Sequence, residues 1–261
     1  MKILFIGDVV GRPGREILAA KLKNLIRAWQ ADMVIVNGEN AAGGKGITPE
    51  VAKELYDLGV DVITMGNHTW DNRGIFQCID SDPNLIRPAN FPQGTPGRGY
   101  TLYEVRPGKK PVAVINLMGR VYMQPLDCPF ACADQILKEL AGVTPLIFVD
   151  FHAEVTSEKI AMGWYLDGRV TAVAGTHTHV QTADERVLPK GTAFITDTGM
   201  TGPRDSVLGV DPQIIIRKFT TQMPVRHELA GGQKILSGIL VEAEENLGRA
   251  SKIIRICEYM D

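Results

Sequence analysis

A chain of 261 residues with 44% hydrophobic content can bury a full core, and its length fits one domain over residues 1–261 better than two small ones. The formal net charge of -2, with Lys, Arg, Asp and Glu interspersed, leaves no basic stripe to track a nucleic-acid backbone and argues against stable binding to long DNA or RNA. No stretch reaches the roughly 20 apolar residues of a membrane span. The four cysteines follow neither a zinc-ribbon nor a disulfide-framework spacing, so a cytoplasmic location without a membrane partner is expected.

Apolar runs of strand length alternate with segments of helical period, the pattern of an α/β fold with helices flanking central sheets. Lys2 to Gly7 is the first strand, and its short run ending in Asp8 does not resemble a signal peptide. Ile17, Leu18, Leu22, Leu25, Ile26 and Trp29 recur at helical spacing, and Met33 to Val36 is a second buried strand. Thr48 before Pro49 opens a helix that ends near Gly59, and Val60 to Met65 is the third strand. Residues 84–108 read as a connection with edge strands before the strand Pro111 to Asn116. Leu146 to Val149 and Val170 to Ala174 are further strands, with a helix from about Ser157 to Leu166 between them. Ile214 to Phe219, Ile235 to Ala243 and Ser251 to Ile256 read as antiparallel, hairpin-rich sheet.

In open α/β sheets ligands bind beyond the carboxyl ends of the strands. Polar residues stand at five such ends: Gly7-Asp8, Asn37-Gly38-Glu39-Asn40, Gly66-Asn67-His68, Asp150-Phe151-His152 and Gly175-Thr176-His177-Thr178-His179. They include Asp8, Glu39, two amides and four of the five histidines, an oxygen and nitrogen set suited to manganese, iron or zinc. With two divalent ions and only two anionic side chains, about two positive charges remain uncompensated, which a phosphate group complements. Two ions a few ångströms apart polarise phosphoryl oxygens and generate a nucleophile from water at neutral pH.

Asp8, Gly38-Glu39, Gly66-Asn67-His68, His152 and Gly175-Thr176-His177-Thr178-His179 resemble, in order and spacing, the calcineurin-like metallophosphoesterases. The likeness is closest to the bacterial YmdB-like branch and extends to Asn40-Ala41-Ala42-Gly43-Gly44 and Asp197-Thr198-Gly199-Met200-Thr201-Gly202-Pro203. This resemblance implies a layered metallophosphoesterase sandwich with mixed sheets. It implies Glu39 as a bridge between two ions, Asp8 and His179 on the first, and Asn67, His152 and His177 on the second. Most of the superfamily carries Asp-x-His in its first motif, whereas Val10 stands here, and the YmdB-like resemblance points to Asn40 as the replacement ligand. An oxygen in place of a nitrogen makes iron or manganese the expected metals ahead of zinc or magnesium. His68 completes neither shell and is the candidate general acid. The resemblance further implies a phosphodiesterase for small diesters, with 2′,3′-cyclic nucleotides as leading substrates: water held between the ions attacks phosphorus in line, and His68 protonates the departing ribose oxygen.

Other readings of the residues compete with these. A dinucleotide-binding turn at Gly7 to Gly14 has the wrong glycine spacing and leaves the histidines unused. A regulatory nucleotide- or phosphate-binding protein on the same fold is the alternative to an enzyme, and a homo-oligomer is compatible with either. Asp71 either orients a neighbouring group or caps the following helix, and His227 lies away from every cluster. Residues 117–132, with Met118, Tyr122, Met123 and Phe130, form a loop that packs back on the core or acts as a lid that stacks on a base.

Overall fold

A computed structural model describes residues 1–261. In chain order it contains β1 (Lys2–Ile6), β2 (Asp8–Val9), α1 (Gly11–Trp29), β3 (Met33–Asn37), α2 (Pro49–Asp57), β4 (Val62–Thr64), a 3-10 turn (Arg73–Gln77), β5 (Leu85–Ile86) and β6 (Tyr100–Tyr103). Then come β7 (Val112–Met118), α3 (Pro129–Glu139), β8 (Ile147–His152), α4 (Thr156–Leu166), β9 (Ala172–Thr176), β10 (Arg186–Val187) and β11 (Ala193–Ile195). The chain ends with β12 (Met200–Pro203), α5 (Pro212–Thr221), β13 (Lys234–Ala243) and β14 (Ala250–Met260).

Alternation along the strands sorts these elements into layers. In β1, Leu4 and Ile6 face α1 and α2, where they join Ile17, Leu18, Leu22, Ala52 and Leu55. Ile3 and Phe5 point the other way, into a core shared with Val112, Val114, Phe148 and Ala172 of a second sheet. The rings of Phe5 and Phe148 meet there with centroids 5.0 Å apart. The second sheet turns Ile115, Val149, Phe151 and Val173 outward onto α3 and α4. The result is helix, sheet, sheet, helix: the layered α/β sandwich with mixed sheets that the sequence leads one to expect.

One sheet runs β2-β12-β13-β1-β3-β4-β5 with β14 beside β13, and the other runs β10-β11-β9-β8-β7-β6. Strands β1, β3, β4 and β5 are mutually parallel, as are β7, β8, β9 and β11. Strands buried on both faces read as near-continuous apolar runs, so most of the polar residues gather where each run ends. Local signals set the helix boundaries as read from sequence: Thr48 Oγ1 accepts the Val51 amide at the start of α2, with Pro49 in the first turn.

The structure corrects one element. Ile214 to Phe219, read as strand, lies in α5, where the Asp211 carboxylate accepts the Gln213 amide and Pro212 follows it. The other two segments of that stretch form the β13–β14 hairpin. The 117–132 segment divides between the end of β7, an irregular loop and the first turn of α3. Met123 and Phe130 pack on the second sheet's outer core, while Tyr122 stands almost fully in solvent.

Candidate metal centre

The parallel strands of both sheets end at the same rim, and the sequence-predicted residues meet there. Asp8 follows β1, Glu39 and Asn40 follow β3, Asn67 and His68 follow β4, His152 closes β8, and His177 and His179 follow β9. Glu39, His152 and His177 bring ligand atoms within 4.8 Å of one another. His152 Nε2 lies 2.9 Å from Asn67 Oδ1, 3.1 Å from His177 Nδ1 and 3.3 Å from Glu39 Oε1. Asn40 Nδ2 is 3.0 Å from Glu39 Oε1 and 3.3 Å from His179 Nε2, and a half-turn of the carboxamide brings its oxygen to the same place. His227, by contrast, is exposed on the segment after α5, apart from this cluster.

Each imidazole has one nitrogen tied outward and the other free to face the cluster. His152 Nδ1 pairs with Thr176 Oγ1 at 2.9 Å, His177 Nε2 with Glu154 at 3.0 Å, and His179 Nδ1 with the Leu208 carbonyl at 3.2 Å. Such outward bonds fix tautomer and ring orientation in metal-binding histidines. His177 and His179 both hold left-handed backbone, with φ of 99° and 65°, a conformation that side chains other than Gly seldom adopt. Gly66 gives the donors room to converge: a Cβ there would lie 2.4 Å from Glu39 Oε2 and from His152 Nε2.

Electrostatics also favours a cation. Asp8 is fully buried; Oδ2 accepts the His177 amide, but Oδ1 has no hydrogen-bond partner. Burial pushes the Asp8 carboxyl up to about 6, against the pull of His179 and His152. Burial opposes charge on Glu39 and His152 as well, yet their mutual attraction wins: Glu39 is held far below the usual carboxylate range and His152 rises to about 9. Burial, reinforced by charge on His152, lowers His177 to about 3, so its imidazole is neutral and able to ligate. An orphaned buried carboxylate oxygen, imidazole nitrogens and amide oxygens form a donor set that fits divalent metal ions.

His68 lies beside this set. Its amide donates to Glu39 Oε2 at 3.0 Å, and its Nδ1 contacts Asp71 Oδ2 at 2.8 Å. Asp71 therefore orients His68, while Asn72 caps the 3-10 turn by accepting the Gly74 amide. A cleft of about 350 Å³ opens over Glu39, Asn40, His68, Glu154, His177 and His179.

Three residues support these donors through partners that the sequence does not reveal, although Asp150 and Asp197 stand in segments it singles out. Asp150, fully buried, accepts from Asn37 at 2.9 Å, from Thr64 at 2.5 Å and from Thr176 at 2.7 Å, joining β3 and β4 of one sheet to β8 and β9 of the other. A carboxylate inside the apolar run of β8, two residues before His152 and on the same face, was the available signal. Glu154 follows β8 and orients His177. Asp197 Oδ2 accepts the amide and hydroxyl of Thr178, between the two histidines, and pairs with the buried Lys159 Nζ at 2.6 Å.

The model of the YmdB-like protein family matches residues 4–256. The chain belongs to the YmdB-like family. Within reach of this YmdB-like chain is a 2′,3′-cyclic-nucleotide 2′-phosphodiesterase of Bacillus subtilis, 56% identical over 256 residues that cover 98% of this chain and 96% of the relative. The crystal structure of a phosphatase from Mycoplasma pneumoniae, 37% identical, superposes with a TM-score of 0.93 over 99% of this chain and 93% of that one. A 5′-nucleotidase from Candida albicans, 11% identical, shares the fold alone, with a TM-score of 0.57 over 98% of this chain and 50% of that one.

Proposed function

We propose that this YmdB-like chain is a metal-dependent phosphodiesterase that hydrolyses 2′,3′-cyclic nucleotides in the cytoplasm. The observation that carries the proposal is the convergence of Glu39, His152 and His177, with Asn40 and Asn67 in contact with them, beside a histidine that is free on one side. The substrate class follows the B. subtilis relative.

Asp8, Asn40 and His179 would hold one ion, Asn67, His152 and His177 the other, with Glu39 between them. Iron or manganese suits the oxygen that Asn40 contributes where a histidine is usual. When bound, two such ions polarise the phosphoryl oxygens and make water nucleophilic at neutral pH. The chain's own residues do the rest. In its imidazolium form His68 keeps Nδ1–H on Asp71 and presents Nε2–H to the departing ribose oxygen. Glu39 Oε2 holds the His68 backbone amide, which ties the acid to the ligand shell. Asp150 and Thr176 keep His152 turned so that Nε2 faces inward.

The test supplies manganese or iron anaerobically and compares 2′,3′- and 3′,5′-cyclic nucleotides with monoesters. His68→Gln should lower kcat by about 10²- to 10⁴-fold, while metal content measured by elemental analysis stays at the wild-type level. Turnover of monoesters alone would overturn the substrate class. Unchanged turnover in His68→Gln would remove it from the reaction, and no turnover with metals bound would favour a regulatory binding protein.

A further inference from the structure

Tyr122 is the most exposed large apolar side chain of the protein, at 91%, and it adopts left-handed backbone with φ of 60°. Neither fact serves folding: the ring buries nothing, and an aromatic residue in this conformation costs stability that Gly would not. Strain of this kind persists where the surroundings impose it, and they do so here. The loop leaves β7 beside His152, with the Gly119 amide on the His152 carbonyl at 3.0 Å. Glu158 of α4 then accepts the Arg120 amide at 3.0 Å and the Val121 amide at 3.4 Å, and the Met123 amide closes a turn on the Arg120 carbonyl. Met123 packs on the core just beyond it. The tyrosine is thus displayed from a fixed turn.

What it is displayed over is a cleft of about 350 Å³ lined by Asn67, Tyr122, Met123, Gln124 and His177. Asn67 and His177 belong to the candidate metal centre, and His177 also lines the cleft beside His68, so the two spaces lie side by side with that histidine in the wall of each. The volume lies at the small end of ligand pockets. Its walls offer an aromatic face, a thioether and a carboxamide, and no charge apart from the metal-site edge.

We infer that Tyr122, with Met123 and Gln124, forms a nucleobase subsite in which the Tyr122 ring stacks on the base of a nucleotide whose phosphate occupies the metal centre. This rests on the function proposed above. Stacking accepts any base because each has a π face, so the subsite separates nucleotides from base-free diesters without choosing strongly among bases.

The experiment compares wild type, Tyr122→Ala, Tyr122→Gly and Tyr122→Phe on 2′,3′-cyclic AMP and on glycerol 1,2-cyclic phosphate, a five-membered cyclic diester without a base. Loss of the ring in the Ala and Gly variants should raise KM for 2′,3′-cyclic AMP roughly 5- to 100-fold, the range for a lost base-stacking partner, with kcat little changed. The Phe variant should restore KM, and glycerol cyclic phosphate should be cleaved equally by all four proteins. Gly suits the left-handed position, so that variant keeps the turn and separates loss of stacking from loss of fold. Calorimetric binding of adenosine 3′-monophosphate should weaken and recover in parallel. Unchanged KM and unchanged binding in both ring-less variants would overturn the subsite while leaving the phosphodiesterase reading intact. If wild type cleaves neither cyclic diester, the functional reading falls and the subsite falls with it.

Discussion

A methyl group on residue 66 would enter the space where Glu39 and His152 approach each other, 2.4 Å from an atom of each. The backbone there lies outside the left-handed region, so Ala meets no conformational objection, and the conflict is confined to the donors. Gly66→Ala should therefore fold and yet bind metal about 10- to 100-fold more weakly, the loss seen when groups that orient ligands are disturbed. Titration with manganese followed by equilibrium dialysis measures this; wild-type affinity would show that Glu39 and His152 need not come so close. The gathering of Asp8, Glu39, Asn67, His152, His177 and His179 at one rim was legible because polar residues that end buried strands stand out by position alone. The roles of Asp150 and Lys159 were not, because they depend on partners far along the chain: Asp150 on Asn37, Lys159 on Asp197. Nor does spacing show that Asp71 faces His68 and leaves the cap to Asn72.

Among the elements, α4 does more than cover the second sheet. It carries Lys159, 1% exposed, to Asp197, which is wholly buried and also holds Thr178 and the Gly199 amide. Asp197 thereby anchors the strained His177-Thr178-His179 loop to a helix that has no direct part in the site. Lys159→Met keeps the bulk and leaves the carboxylate without its cation, so it should cost about 3 kcal/mol or more in urea unfolding. Lys159→Met combined with Asp197→Asn should recover part of that loss, since no unpaired charge remains; additive losses would show that the pair is not coupled. Most elements were legible because buried strands read as apolar runs and helices as a 3.6 period, while the two-residue strands β2, β5 and β10 are too short to carry a pattern. The α5 misreading came from Ile214-Ile215-Ile216, whose β-branched side chains suit a strand, although Asp211 and Pro212 before them form a helix start.

At the scale of the molecule, the sandwich was legible in class but not in strand order. Nothing local announces that β13 lies antiparallel to β1, with Lys2 opposite Glu242, because that pairing joins the two ends of the chain. The order matters because it sets two independently hydrogen-bonded sheets face to face with their donor ends on one rim. Between them lie an apolar core and, at the rim, the Asp150 network, which crosses with several hydrogen bonds. The candidate metal donors come from both sheets, so ions bound there would tie the sheets together only in the folded state. Bound at about a hundred times the dissociation constant, one ion adds about 2.7 kcal/mol to stability. For a chain near this size each kcal/mol corresponds to about 2–4 °C. Stripping the metal with a chelator should therefore lower Tm by roughly 5–10 °C, and adding back manganese or iron should restore it. Calorimetry decides the matter: an equal shift in Gly66→Ala and wild type at low metal concentration would locate the effect elsewhere, whereas a smaller shift in the variant places it at the rim where the two sheets meet.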